Sequence, residues 1–406
     1  MSDTSIPPSP FAPYTPPAPA VSPPAVSKVS FSGNRREFFN LIVKGAALGL
    51  VTFGFYRFWL STYVRRHLWS GTSVDGDAPE YTGTPIELLL GFLFAIAILV
   101  PVYIVYFLVG LQAEIYRAFA SVPLVIFFYL FAQFAIYRAR RYRMTRTVWR
   151  GVRFWMRGSG WDYAWRAGLW LLGVALTFGV LLAWRTASLE RFKMKHSYYG
   201  NLQGSFEGTG GQLFSVTWPF WLGSLVLFGV SFAVPALIFL WFIAAPFLYA
   251  FYKAIEWRWW VAGIRFGEVG FQSELAQTAF IDLYWKVMGW SFLLLIAALS
   301  LFGLIVVAVA IVGGANFSVA GQFFGLLERQ PWLVYFLSIS GSVLYLTLIL
   351  AVGVVMQLYL TRDLWQRVAD TTTVHNLAAA DDVIAQGDVA NALGEGFADG
   401  LDVGGL

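Results

Sequence analysis

The largest concentration of potentially reactive side chains is an arginine run in residues 137–158, YRARRYRMTRTVWRGVRFWMRG, which contains no acidic residue. Tryptophan and tyrosine alternate with the arginines, as is typical of a membrane–water interface. Basic side chains there attract anionic lipid head groups by about 1 kcal/mol each. Nucleic-acid binding would need a groove or a stacking platform, and the sequence indicates neither. The run therefore predicts a lipid interface, with no nucleic-acid partner, formed by Arg138, Arg140, Arg141, Arg143, Arg146, Arg150, Arg153 and Arg157.

Other chemically useful residues are sparse. The chain has no cysteine, and its three histidines, His67, His196 and His375, are not at the spacing of metal ligands. It contains no metalloprotease, nucleophile-elbow or phosphate-loop motif. The sequence therefore predicts no catalytic residue, no metal site and no cofactor.

The elements around the arginine run are apolar. Of 406 residues, 58% are hydrophobic and 13% are charged, about half the charged fraction of a soluble domain. A segment such as 86–110 is long enough to cross about 30 Å of hydrocarbon as a helix. We therefore expect an all-α polytopic membrane protein with eight membrane segments, near 38–60, 86–110, 118–137, 165–184, 214–233, 235–254, 285–312 and 332–360.

Lysine and arginine are concentrated in four linkers between these segments: 61–85, 138–164, 185–213 and 255–284. Short basic loops remain in the cytoplasm. If all four do so, segments 38–60 and 165–184 must enter and leave by the same face as re-entrant pairs. The alternative is two ordinary spans with some basic loops outside.

A Thr-Phe-Gly repeat supports the re-entrant interpretation. It occurs at Thr52 and Thr177, each followed seven residues later by Trp and after seven more by Arg. Glycine tolerates the turn that such a break needs, and broken segments often line a transport site. The candidate cavity-lining residues are Thr52, Gly54, Thr177, Gly179 and Lys44; Lys44 is equally consistent with a side chain that snorkels to the interface.

A second repeat precedes several membrane segments. An aromatic residue is followed six positions later by Glu or Gln at Phe31–Glu37, Tyr81–Glu87, Phe206–Gln212 and Phe271–Gln277. In three copies Asn34, Thr84 or Thr209 stands at a capping position, which predicts a helix start. The β-prone residues before each cap predict short strands that form a small, partly β cytoplasmic layer.

The termini differ from the middle of the chain in composition. Residues 1–30 are proline-rich and predict a disordered leader, 31–367 form the membrane domain, and 368–406 are an acidic tail without lysine or arginine. The tail either packs its acidic residues against the arginines of 138–157 or remains solvated.

The motifs FSGNRREFFNLIV, LVTFGFYRFWLSTYVRRHLWSGT and LTFGVLLAWRTASLERFKMKHSYYG resemble those of the YjgN-like bacterial inner-membrane proteins, over most of residues 31–406. Phe53 and Phe58 stand where family members carry Leu and Pro. The resemblance implies a multi-pass protein of the bacterial inner membrane, a family of unknown function. It implies no reaction and no ligand.

Two functions remain open at this stage. A pore, transporter or lipid-handling protein is favoured by the paired broken segments. A non-transporting scaffold that binds anionic lipid and partner proteins is the alternative. Both place the termini in the cytoplasm.

Overall fold

A computed structural model describes residues 26–112, 117–313, 325, 327–387 and 399. The described chain alternates short strands with pairs of helices. The strands are β1 Val26–Phe31, β2 Thr72–Val74, β3 Glu80–Tyr81, β4 Thr147–Trp149, β5 Val152–Met156, β6 Ser197–Tyr199, β7 Leu202–Phe206, β8 Ile264–Phe266, β9 Val269–Ser273 and β10 Thr372–His375. The helices are α1 Arg35–Val51, α2 Arg57–Gly71, α3 Pro85–Gln112, α4 Arg117–Thr145, α5 Gly160–Leu176, α6 Leu182–Lys195, α7 Gly210–Ser231, α8 Leu237–Gly263, α9 Ile281–Val312, α10 Pro331–Met356 and α11 Leu364–Asp370, with a π-helical segment Gln357–Asp363 between the last two.

These elements form five units of strand, helical hairpin and strand. The two strands of each unit pair with each other in antiparallel fashion. Two-residue turns join three successive pairs of units, at Arg150–Gly151, Gly200–Asn201 and Gly267–Glu268. Each turn includes at least one residue with positive φ, which suits the tight hairpins that follow the twist of a sheet. Every described hairpin of helices therefore leaves from, and returns to, the same sheet.

The ten described strands form one sheet, in the order β2-β1-β10-β9-β8-β7-β6-β5-β4-β3. Its edge strands are β2 and β3, and the segment between them begins with a tight turn closed by a bridge between Val74 and Asp77. One apolar cluster draws side chains from nine of the strands, including Val29, Trp149 and Val374, so the sheet must curl around this core. The expectation of an all-α protein with a small β layer is therefore only partly confirmed: helices predominate, but the sheet is larger than predicted. Its strands are two to six residues long, too short to reveal themselves by hydrophobic alternation.

Ten helices form a ring below the sheet. Each packs against the next along the chain from α1 to α10, and α10 packs against α1. Six described helices, α3, α4, α7, α8, α9 and α10, are long and apolar enough to cross a membrane. The other four form the hairpins α1/α2 and α5/α6. These six helices match the six full spans predicted from the sequence. The two remaining hairpins correspond to the predicted segments 38–60 and 165–184.

The predicted helix breaks lie at the Thr-Phe-Gly motifs. Phe53 and Gly54 have φ angles of 51° and 86°, and Phe178 and Gly179 have φ angles of 50° and 93°. The Thr52 hydroxyl donates to the Leu48 carbonyl at 2.7 Å and accepts from the Tyr56 amide at 3.0 Å. Thr177 makes the same two bonds, to Gly173 and Leu181. The motif thus satisfies backbone groups that the turn would otherwise leave unpaired.

The predicted caps are also present. Asn34 caps α1, Thr84 and Glu87 bond reciprocally at the start of α3, and Thr209 with Gln212 forms a capping box on α7. The strand β1 contains the last five residues of the predicted leader, and β10 lies within the predicted tail.

At three places where a strand is followed by a helix, an aromatic ring packs against a glycine; these places are called joints below. A Cβ atom placed on Gly33, Gly83 or Gly208 would lie within 2.7 Å of the aromatic ring two residues earlier in the chain. In the third joint the Phe206 ring also contacts Gly263, at the end of α8. The aromatic residues of the sequence repeat therefore pack against the turn backbone.

We expect Gly208→Ala to destabilise the protein by about 1–3 kcal/mol, because the added methyl group would overlap the Phe206 ring. Its Cβ would lie 2.6 Å from that ring. The control is Gly211→Ala, where no atom lies within 4 Å of the new Cβ and a gain of up to about 1 kcal/mol is expected in helix. Thermal unfolding in detergent, followed by tryptophan fluorescence, measures both. Equal melting temperatures for the two variants would contradict the packing of the Phe206 ring against Gly208.

Candidate functional site: a buried charge cluster

The carboxyl-terminal ends of three helices carry charged residues in the same register. Arg65 of α2, Arg140 of α4 and Glu190 of α6 each precede their following strand by seven residues, and Arg143 and Lys193 precede theirs by four. With Asp399 they form what we call the central charge cluster, which lies where the helices meet the sheet.

One half of the central charge cluster is built around Asp399. Both terminal nitrogens of Arg65 bond to this carboxylate, one of them at 3.0 Å, and Nη1 also donates to the Tyr81 hydroxyl at 3.2 Å. Arg143 Nε lies 3.8 Å from the same carboxylate. The side chains of Arg65 and Asp399 are only 3% and 2% exposed. A carboxylate from the end of the chain is therefore held between cations from two helices.

The other half is built around Glu190. It accepts bonds from Arg140 Nη1 at 3.3 Å, from Trp260 Nε1 at 3.0 Å, and from Lys193. Trp260 lies on α8, so this carboxylate joins three helices that are far apart in sequence. Its side chain is 13% exposed.

The central charge cluster contains four cations and two carboxylates, so its net charge is positive by two. Burial disfavours the ammonium of Lys193, and Arg140 and Arg143 repel it, so that the pKa of Lys193 lies below its ordinary value despite Glu190. Burial also disfavours the Glu190 carboxylate, but Lys193 and Arg140 outweigh burial and lower the pKa of Glu190. An anionic ligand would relieve the positive excess.

The sequence-predicted arginines are spread over several elements. Those from Arg138 to Arg143 lie at the end of α4, and the others lie in or beside the β4–β5 hairpin, so the run is not the simple loop between spans that the sequence suggested. Several are occupied within the protein. Arg146 is buried and pairs with Glu87 at 2.7 Å. Arg150 pairs with Asp77 and Asp381, and Arg157 stacks on Trp155.

Four of the five candidate cavity residues, all except Lys44, lie at the tips of the broken hairpins. The hydroxyls of Thr52 and Thr177 bond within their own breaks. Trp221 of α7 donates to the Phe178 carbonyl at 3.0 Å and contacts Gly179, whereas no atom lies within 4 Å of a Cβ added to Gly54. These contacts do not join the two tips. Lys44 is exposed in the middle of α1.

Of the two alternatives for the acidic tail, packing against the arginine run is favoured by two contacts. Asp381 pairs with Arg150 at 2.7 Å, and Asp399 approaches Arg143. Apolar residues recur at every fourth position in the tail sequence and predict a stripe on a helix, but all four lie outside the described residues: Val389, Leu393, Phe397 and Leu401.

Glu190, Lys193 and Arg65 were missed by sequence reasoning, although a signal was available. Aligning the two Thr-Phe-Gly copies places Arg65 opposite Glu190. A charge of opposite sign at equivalent helix positions predicts that the two positions face a shared polar environment.

A family model described as "Bacterial protein of unknown function (DUF898)" matches residues 26–246, more than half of the chain, from β1 into α8. This agrees with the uncharacterised bacterial family that the motifs resemble. No curated protein matches the chain, and no solved structure does.

Proposed function

The chain belongs to the DUF898 family of bacterial proteins, whose function is unknown, and we propose that this member binds and handles anionic phospholipid from within the membrane. On this proposal it lies in the bacterial inner membrane, with the sheet and both termini on the cytoplasmic side. The basic linkers between the helices support that orientation, because they precede or contain the strands of the sheet.

The observation that carries the proposal is the sheet that curls around an apolar core. A water-soluble cargo moving along the ring axis would have to pass the apolar core to which nine strands contribute. Residues after β10 close this core further, since Leu377 and Ala380 are buried in it. A cargo that is already in the bilayer needs no such passage, because it can enter between helices.

The distribution of polarity along the six long helices supports the same cargo. Within their membrane-crossing ranges, the charged residues lie within about three turns of the sheet end. The remainder carries no charge and is mainly apolar, and residues on most faces of α9 are exposed. Solute pathways are lined by polar groups, whereas this pattern matches a phospholipid with its phosphate toward the sheet.

Measuring which phospholipids co-purify with the protein tests the proposal. The protein is extracted into nanodiscs from its own membrane, and the phospholipids that survive a second purification in detergent are quantified. We expect anionic phospholipid to be enriched over the bulk membrane. Retention of lipid in bulk proportions would overturn the proposal.

A scaffold is the second candidate. It is favoured by the internal pairing of Arg146 and Arg150, because those contacts stiffen the sheet layer instead of leaving guanidinium groups for a ligand.

A pore is the remaining alternative, and reconstituted vesicles test it. Rapid leakage of a small ion through the protein would indicate a pore and contradict the lipid proposal.

A further inference from the structure

An apolar cavity of about 530 Å³ lies where α10 closes the ring against α1 and α9. That volume is within the range of about 300–1,000 Å³ typical of ligand sites. Except for Thr347 and the Tyr359 hydroxyl, its lining is apolar and includes Phe39, Val43, Ala47 and Trp290. Phe39, Val43 and Trp290 remain substantially exposed, so the cavity opens at the membrane-facing surface.

Two cations lie at the sheet end of this cavity. Arg35 precedes Phe39 by one helical turn on α1, and its guanidinium lies 5.3 Å from the ring centre of Tyr359, a lining residue. Lys286 precedes Trp290 by one turn on the same face of α9. Apolar walls and a cationic rim therefore follow one another along the same helices.

The rim retains positive charge although it contains carboxylates. Asp363 pairs with both Arg35 and Arg362, and Asp282 pairs with both Lys286 and Arg367. Each carboxylate is thus shared between two cations. The Arg35 and Lys286 side chains are 50% and 47% exposed, which leaves donors free for a ligand.

We propose that this cavity is a specific site for an anionic glycerophospholipid, with an acyl chain between α1, α9 and α10 and the phosphate on Arg35 and Lys286. The inference rests on the proposed function and names where that lipid binds. An acyl chain suits the apolar walls, and the cationic rim selects an anionic head group. The site lies where a short broken hairpin meets two long helices, which leaves the end of α10 farther from the sheet exposed, for example at Trp332, Tyr335 and Ile339.

The second broken hairpin provides an internal comparison. Alignment of the Thr-Phe-Gly motifs places Gly160 of α5 opposite Arg35, and Leu172 opposite Ala47. The α5/α6 hairpin therefore lacks the arginine at this position. A substitution at Leu172 therefore changes the same kind of surface without affecting the proposed site.

Photo-crosslinking in nanodiscs tests the site, with phosphatidylglycerol that carries a diazirine on one acyl chain. In the wild-type protein we expect the labelled peptides to map to α1, α9 and α10. Ala47→Trp should abolish most of that labelling by filling the cavity, whereas Leu172→Trp should retain it. Labelling spread evenly over all the long helices would overturn the inference, and this measurement needs no variant.

The charge requirement is tested with Arg35→Gln combined with Lys286→Met. Removing two cations should weaken labelling by the phosphatidylglycerol probe by about 30-fold. A phosphatidylcholine probe of the same chain carries the same phosphate but no net charge, so its loss should be much smaller. An equal loss for both probes would contradict selection of an anionic head group. If anionic lipid co-purifies with wild type but Ala47→Trp retains it fully, this site is wrong while the proposed function stands. If none co-purifies, the function itself fails.

Discussion

Replacing Glu190 by glutamine should destabilise the protein by roughly 3–5 kcal/mol, the usual consequence of removing one partner from a buried ion pair. The substitution keeps the volume but leaves Lys193 and Arg140 facing each other without their shared carboxylate. Trp260 would retain only a neutral acceptor. Thermal unfolding in detergent, with tryptophan fluorescence as the signal, measures the change.

Two variants separate a buried network from a general effect of charge. Glu207→Gln makes the same substitution in an exposed pair with Arg265, where Glu207 is 63% exposed, and such pairs contribute about 0–1 kcal/mol. Glu190→Gln combined with Lys193→Met removes both charges and should recover part of the lost stability. If Glu190→Gln were no more harmful than Glu207→Gln, water would have to screen the central charge cluster.

The same carboxylate predicts a sign for acid sensitivity. Because the folded protein lowers the pKa of Glu190, its contribution is complete above the ordinary carboxylate range and is lost as pH falls through the lowered value. The wild type should therefore lose stability on acidification more steeply than the Glu190→Gln variant does.

Local features of this fold were predictable, since their causes lie within a few residues. The caps at Thr84 and Thr209 need only a side chain three positions further on, and the breaks at Thr52 and Thr177 follow from one self-alignment. Such interactions are encoded by spacing alone.

The sheet and the central charge cluster depend on long-range pairing. Strand β1 pairs with β10, placing Lys28 opposite Thr373, and Arg65 meets Asp399 across 334 residues. Short strands, and single acidic residues in a glycine-rich tail, carry no local sequence pattern that indicates which residues they pair with. The interpretation of the arginine run was incomplete for the same reason, because its partners Glu87 and Asp77 lie 59 and 73 residues away along the chain.

Cysteine labelling should place all turns of the sheet on one side of the membrane. The chain has no native cysteine, so single substitutions at Asp77, Asn201 and Glu268 report without background. In intact cells a membrane-impermeant maleimide should label none of them, and in inverted membrane vesicles it should label all three. The result follows from five hairpins that leave one sheet and return to it.

The tips of the broken hairpins should behave differently from the ends of the long helices. At 1.5 Å per residue, the 17-residue helices α1 and α5 extend about 25 Å, less than the hydrocarbon core of about 30 Å. Cysteines at Phe53 and Phe178 should therefore resist the impermeant reagent from both sides and react only after the protein is denatured in detergent, because a thiol in hydrocarbon does not form the reactive thiolate. A cysteine at Gly313, just beyond α9, should react from outside intact cells. Labelling of Asn201 from outside would exclude the shared-face topology, because α5/α6 would then cross the membrane an odd number of times.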